Sequence, residues 1–114
     1  MKSQTVARLA MLSLGLALGP LKSTWAQAPG PDGKEALYTK SLAATCANCH
    51  GTNGKATLGS TVPSLAGLDK NYIYGQMMAF KTGSRPATVM HQISKGYSDA
   101  QIESLSAYFA AQPK

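Results

Sequence analysis

Acidic side chains are scarce in this sequence: five Asp and Glu stand against eleven Lys and Arg, and only 14% of positions are charged. Histidine occurs twice, cysteine twice and tryptophan once. Serine, carboxylate and histidine are nowhere grouped, so the sequence offers no constellation for nucleophilic or general acid–base catalysis. A structural zinc site wants a second pair of Cys or His ligands at ligand spacing. The one histidine away from the cysteines, His91, lies far along the chain and supplies no such pair. Strand-like alternation and internal repeats are also missing. The longest apolar run is shorter than the ~20 residues that a membrane-spanning helix needs.

What is present begins with an export pattern. Lys2 and Arg8 make a positive start, Leu9 to Leu18 is an apolar stretch, and Gly19-Pro20 breaks it before a run of small residues. This reads as a secretory signal over residues 1–26, followed by a flexible lead-in over 27–33 and a single domain over 34–114. Cleavage after Ala28 would place Pro29 across the scissile bond, so Thr24-Trp25-Ala26 is the preferred site, and no membrane span is expected after cleavage. Lys2, Arg8 and Lys22 depart with the signal, so eight of the eleven basic side chains remain against five acidic ones, a formal +3. No basic stripe survives, which argues against nucleic acid as a partner.

The two cysteines both fall in Cys46-Ala47-Asn48-Cys49-His50. Two thiols separated by two residues, with histidine directly after, form the C-x-x-C-H pattern of covalent haem attachment. The thiols add to the porphyrin vinyl groups, and His50 reaches the iron from the proximal face. A redox dithiol or half of a zinc site is the competing reading, but neither accounts for the adjoining histidine. Haem c is attached outside the bacterial cytoplasm, so the motif and the export signal agree on a periplasmic location. A chain this small, with a thin core for its surface, is expected to need its haem to fold.

Periodicity predicts three helices. The first runs from about Lys34 to Ala47 after Asp32 and Glu35, with Leu37, Leu42 and Tyr38 on its buried side. The second, Lys70 to Thr82, is capped by Asp69 and ended by Gly83. The third starts at Ser98 in a capping box with Gln101 and carries Ile102, Leu105, Tyr108 and Phe109 as a stripe. Gly51 to Leu68 is a long loop fit to wrap a haem edge, and Ala87 to Tyr97 is read as irregular. The expected class is all-α.

The iron's other face could be met by Met77, Met78, Met90 or His91. The first two sit on or beside a helical apolar face, where methionine commonly fills core space. Met90 follows the turn at Arg85-Pro86, where a side chain is free to be aimed. Neighbours in an extended segment point to opposite sides, so one of Met90 and His91 is expected to face the iron. Met90 is favoured, with a bis-histidine or an open site as the alternatives. A thioether ligand raises the potential and closes the iron to oxygen or peroxide.

These features together resemble a class I cytochrome c: the signal, C-x-x-C-H on an N-terminal helix, Pro63-Ser64-Leu65-Ala66-Gly67, the Tyr72 to Arg85 helix and turn, Met90, and a capped helix ending in Tyr108-Phe109. The resemblance implies three main helices and long loops around one covalent haem. Cys46 and Cys49 would be the attachment points, and His50 and Met90 the iron ligands. Pro63 would offer its carbonyl to the proximal imidazole, and Arg85 is a candidate partner for a haem propionate. Leu42, Leu105 and Tyr108 would stand where the first and last helices cross. A narrower likeness lies in Phe80-Lys81-Thr82-Gly83, Ala87-Thr88-Val89-Met90, Ile93 and Lys95-Gly96-Tyr97-Ser98. These are similar to the haem subunit of flavocytochrome c sulfide dehydrogenase. That likeness implies an electron carrier, not itself an enzyme, that is reduced by an FAD-containing subunit and passes electrons to a downstream acceptor. A free carrier of the c4 or c5 type serving an oxidase, and a haem gas sensor or peroxidase, are the other functions to separate from it.

Overall fold

Local capping chemistry sets the ends of the longer helices. In the computed structural model, which describes residues 31–114, the Asp69 side chain accepts the backbone N–H of Tyr72 at 2.9 Å and starts a helix over Lys70–Thr82. Gly83 ends it in the left-handed conformation, φ 80°, a geometry that favours glycine. Ser98 and Gln101 form the expected reciprocal capping box, at 3.2 and 2.8 Å, and open the last helix, Asp99–Ala110. The expected export signal, residues 1–26, lies outside the described residues.

In chain order the helices are α1 (Pro31–Ala44), α2 (Ala47–His50), α3 (Lys70–Thr82), α4 (Met90–Lys95) and α5 (Asp99–Ala110), with a 3₁₀ turn at Thr52–Gly54. No strand occurs among the described residues. α1 starts three residues earlier than the expected Lys34, on Pro31, whose missing N–H costs nothing at a helix start. It also stops short of Ala47. The amides of Thr45 and Cys46 bond to Leu42 and Ala43, both at 3.1 Å, tightening the last turn, and the Thr45 hydroxyl donates to the Leu42 carbonyl at 2.7 Å. The chain then re-enters helix at Ala47, so the two cysteines straddle the start of α2 and do not lie on α1.

Two expectations are corrected here. Leu37 and Tyr38 are exposed, at 56% and 47%, whereas Ala43 is buried at 4%. A small residue lets α1 approach α5 closely, and a pattern built on large side chains misses it. The segment Ala87 to Tyr97 is not irregular throughout, because Met90–Lys95 is helical. Val89 caps α4 without a side-chain hydrogen bond, so no local sequence signal marks its start.

The core lies where α1, α3 and α5 meet. Ala43, Ile73, Leu105 and Phe109 form its centre, with Leu42, Leu65, Met77 and Tyr108 packed around it. Ile102 and Phe109 are the largest side chains essentially sealed from water. Tyr108 meets Phe109 edge to face at 5.2 Å and donates its hydroxyl to Asn53 at 2.8 Å, tying α5 to the 3₁₀ turn.

Candidate functional site

A cavity of about 530 Å³ opens beside this core. Its walls come from the α1–α2 turn, the loop after the 3₁₀ turn, α3, and the segment through α4. Cys46, Cys49, His50, Pro63, Arg85 and Met90 all line it, so residues spread over 45 positions converge on one space. Apolar side chains such as Leu65, Ile73, Met77 and Phe80 fill the intervening wall. Tyr72, Val89 and Ile93 also line it while remaining 54%, 54% and 42% exposed.

His50 is buried, and its Nδ1 lies 2.7 Å from the Pro63 carbonyl oxygen. A carbonyl accepts only, so Nδ1 carries the proton and Nε2 keeps its lone pair, the tautomer a metal ligand requires. The Pro63 loop is held in place from behind. The Gly54 carbonyl accepts the amides of Leu65 and Ala66, at 2.7 and 3.1 Å, and the Ser64 hydroxyl at 2.8 Å. Gly54 itself has φ 78°, and an added Cβ would sit 2.7 Å from the Phe109 ring. Gly54, which sequence pattern left as mere loop punctuation, therefore fixes the distance between Pro63 and His50.

Burial pushes the Cys46 thiol up; a contact with the Thr45 hydroxyl opposes this, and Cys49 adds to it. Redox dithiols work through a thiol whose pKa is lowered, so the local electrostatics run against that reading. Among the described residues no three His, Cys, Asp or Glu side chains gather as a metal cluster, which leaves the zinc reading without ligands.

Met90 is the first residue of α4, and Thr88, Val89 and Ile93 line the cavity with it. His91 and Met78 are not among the lining residues. The earlier expectation of an extended Met90-His91 pair is replaced by a helical one. Successive side chains are turned by about 100° around the axis, and the Nδ1 of His91 is buried with no hydrogen-bond partner among the described residues. Met77 reaches the cavity too, from a face that packs on the core. Among the described residues, Arg85 is the only charged side chain on the cavity wall. Its guanidinium lies over the Phe80 ring at 4.5 Å and donates to Gln76.

The residues present fit a haem. Among the described residues the wall is largely apolar and free of carboxylates, the exposed rim side chains offer area for a flat macrocycle to cover, and it carries two thiols for covalent attachment together with an imidazole and a thioether, ligand types that suit haem iron. An all-α fold around such a cavity defines a small haem protein of the electron-transfer class. The family model for cytochrome c matches residues 32–112, and the chain belongs to the cytochrome c family. Its cofactor is one covalently bound haem c.

Among curated proteins, the chain is 37% identical over 103 residues to the cytochrome subunit of sulfide dehydrogenase from Chlorobaculum tepidum, covering 89% of this chain and 92% of that one. It is 33% identical over 102 residues to the thiosulfate dehydrogenase electron acceptor of Thiomonas intermedia, covering 90% of this chain but only 42% of that protein. A solved structure of cytochrome c4 from Acidithiobacillus ferrooxidans superposes with a TM-score of 0.61 at 30% identity, over 68% of this chain and 49% of that one. The protein is thus an electron-transfer protein, and the first two of these relatives each serve a partner redox enzyme.

Proposed function

We propose that this chain is an exported one-electron carrier whose haem is attached through Cys46 and Cys49 and ligated by His50 and Met90. The observation that carries this is the His50–Pro63 hydrogen bond on the wall of a cavity that Met90 also lines. A bound haem c supplies a ferric–ferrous couple; the protein's residues do the rest. Pro63 fixes the imidazole tautomer and strengthens it as a donor. Met90 would hold the iron from the side away from His50, and a thioether there would favour the reduced state. Arg85 is placed to neutralise a propionate, and the apolar wall keeps water from the cofactor. Residues 1–26 direct export to the periplasm, and the haem domain includes all of α1 from Pro31 onward. No helix among the described residues is long and apolar enough to cross a membrane.

The donor we propose is an FAD-containing flavoprotein that oxidises sulfide. The near full-length likeness to a sulfide dehydrogenase cytochrome subunit supports it. Sulfide plus the flavoprotein should reduce this haem, and the two should co-purify. Prompt reduction by unrelated donors, with none by that pair, refutes the assignment. The likeness to a thiosulfate dehydrogenase electron acceptor and to cytochrome c4 favours a second reading, a freely diffusing carrier. Emergence of the native protein alone on mass analysis would support that reading.

A further inference from the structure

α4 carries Met90 at one end and is followed at the other by Gly96 and Tyr97. The Tyr97 hydroxyl lies 2.7 Å from the Thr45 hydroxyl, across a sequence separation of 52. Thr45 has one hydroxyl proton, and the Leu42 carbonyl at 2.7 Å takes it. Tyr97 is therefore the donor and Thr45 the acceptor. Thr45 immediately precedes Cys46, so the bond joins the end of the Met90 segment to the cysteine motif. The backbone of Tyr97 is held as well, because Lys81 Nζ donates to its carbonyl at 2.7 Å while pairing with Asp99 at 2.8 Å. At the opposite end of the segment, Val89 caps α4 with no side-chain hydrogen bond. Both Tyr97 and Met90 line the haem cavity.

We propose that Tyr97, through its hydrogen bond to Thr45, is a positioning residue that latches the Met90 segment over the haem. This rests on Met90 as the distal ligand. Breaking the latch lets α4 swing away locally and exposes the iron to outside ligands, while the rest of the fold stays closed.

The test uses the full-length ferric holoprotein. Tyr97→Phe and Thr45→Val should each raise the rate of cyanide binding about five-fold, the equivalent of one neutral hydrogen bond. The double variant should add nothing further, and Thr45→Ser should restore the parent rate. Amide hydrogen exchange over residues 92–96 should quicken while that of α5 holds. Unchanged cyanide rates, or equal acceleration of α4 and α5 amides, would overturn the latch. Persistence of the methionine far-red absorption band in Met90→Ala would instead overturn the ligand assignment beneath it.

Discussion

His50 and Pro63 meet through a 2.7 Å contact between imidazole Nδ1 and carbonyl oxygen, thirteen residues apart in sequence. That distance is set by a third residue, Gly54, whose carbonyl gathers three donors from the Pro63 loop. Gly54→Ala adds a Cβ against Phe109 at a backbone angle that resists side chains. We expect a loss of ~2–4 kcal/mol in stability, read from urea unfolding of the holoprotein, with Gly83→Ala costing less because no atom lies within 4 Å of its added Cβ.

Packing where α1, α3 and α5 meet should contribute strongly to the stability of the polypeptide. Phe109 is 2% exposed and touches the 3₁₀ turn as well as the core, so Phe109→Ala should cost ~3–5 kcal/mol. Ser98→Ala removes a cap and should cost about 1 kcal/mol. Lys70 pairs with Glu103 at 3.1 Å, but both side chains are well exposed. Lys70→Ala should therefore shift the denaturation midpoint little, by ~0.5 kcal/mol at most.

Much of this was legible because it is local. Asp69, Gly83 and the Ser98–Gln101 pair act within a few residues of where they stand, so pattern alone located three helix ends. The C-x-x-C-H motif carries its chemistry in five consecutive residues. What escaped depends on contacts between distant segments. Ala43 is buried because α5 crosses there, Leu37 is exposed because no described element packs on it, and α4 forms without a capping side chain. Gly54 looks like any loop glycine until Phe109 and the Pro63 loop are brought against it. The sequence favours Met90 over His91 on an extended-segment argument, whereas it is the helical turn of α4 that separates the two side chains.

Removal of haem should unmake the fold. The cavity wall is largely apolar, and three of its large side chains already face solvent. Without the macrocycle the chain keeps a core of few residues, too little for a domain of this size. Haem-free protein should give a weak helical circular dichroism signal and a broad, non-cooperative melt. A native-like spectrum with a sharp transition would contradict this.

Attachment through both cysteines has its own signature. Under denaturing mass analysis the parent should retain haem, Cys46→Ala and Cys49→Ala should each retain it through a single thioether, and the double variant should lose it. Retention by the double variant would remove both residues from that role.

The central assignment is a haem held between His50 and Met90, and visible spectroscopy tests it most directly. The ferric parent should show the far-red band of methionine-ligated haem, and Met90→Ala should lose it and fall in redox potential, while His91→Ala should keep the band. Loss of the band in His91→Ala, with Met90→Ala unchanged, would contradict the account.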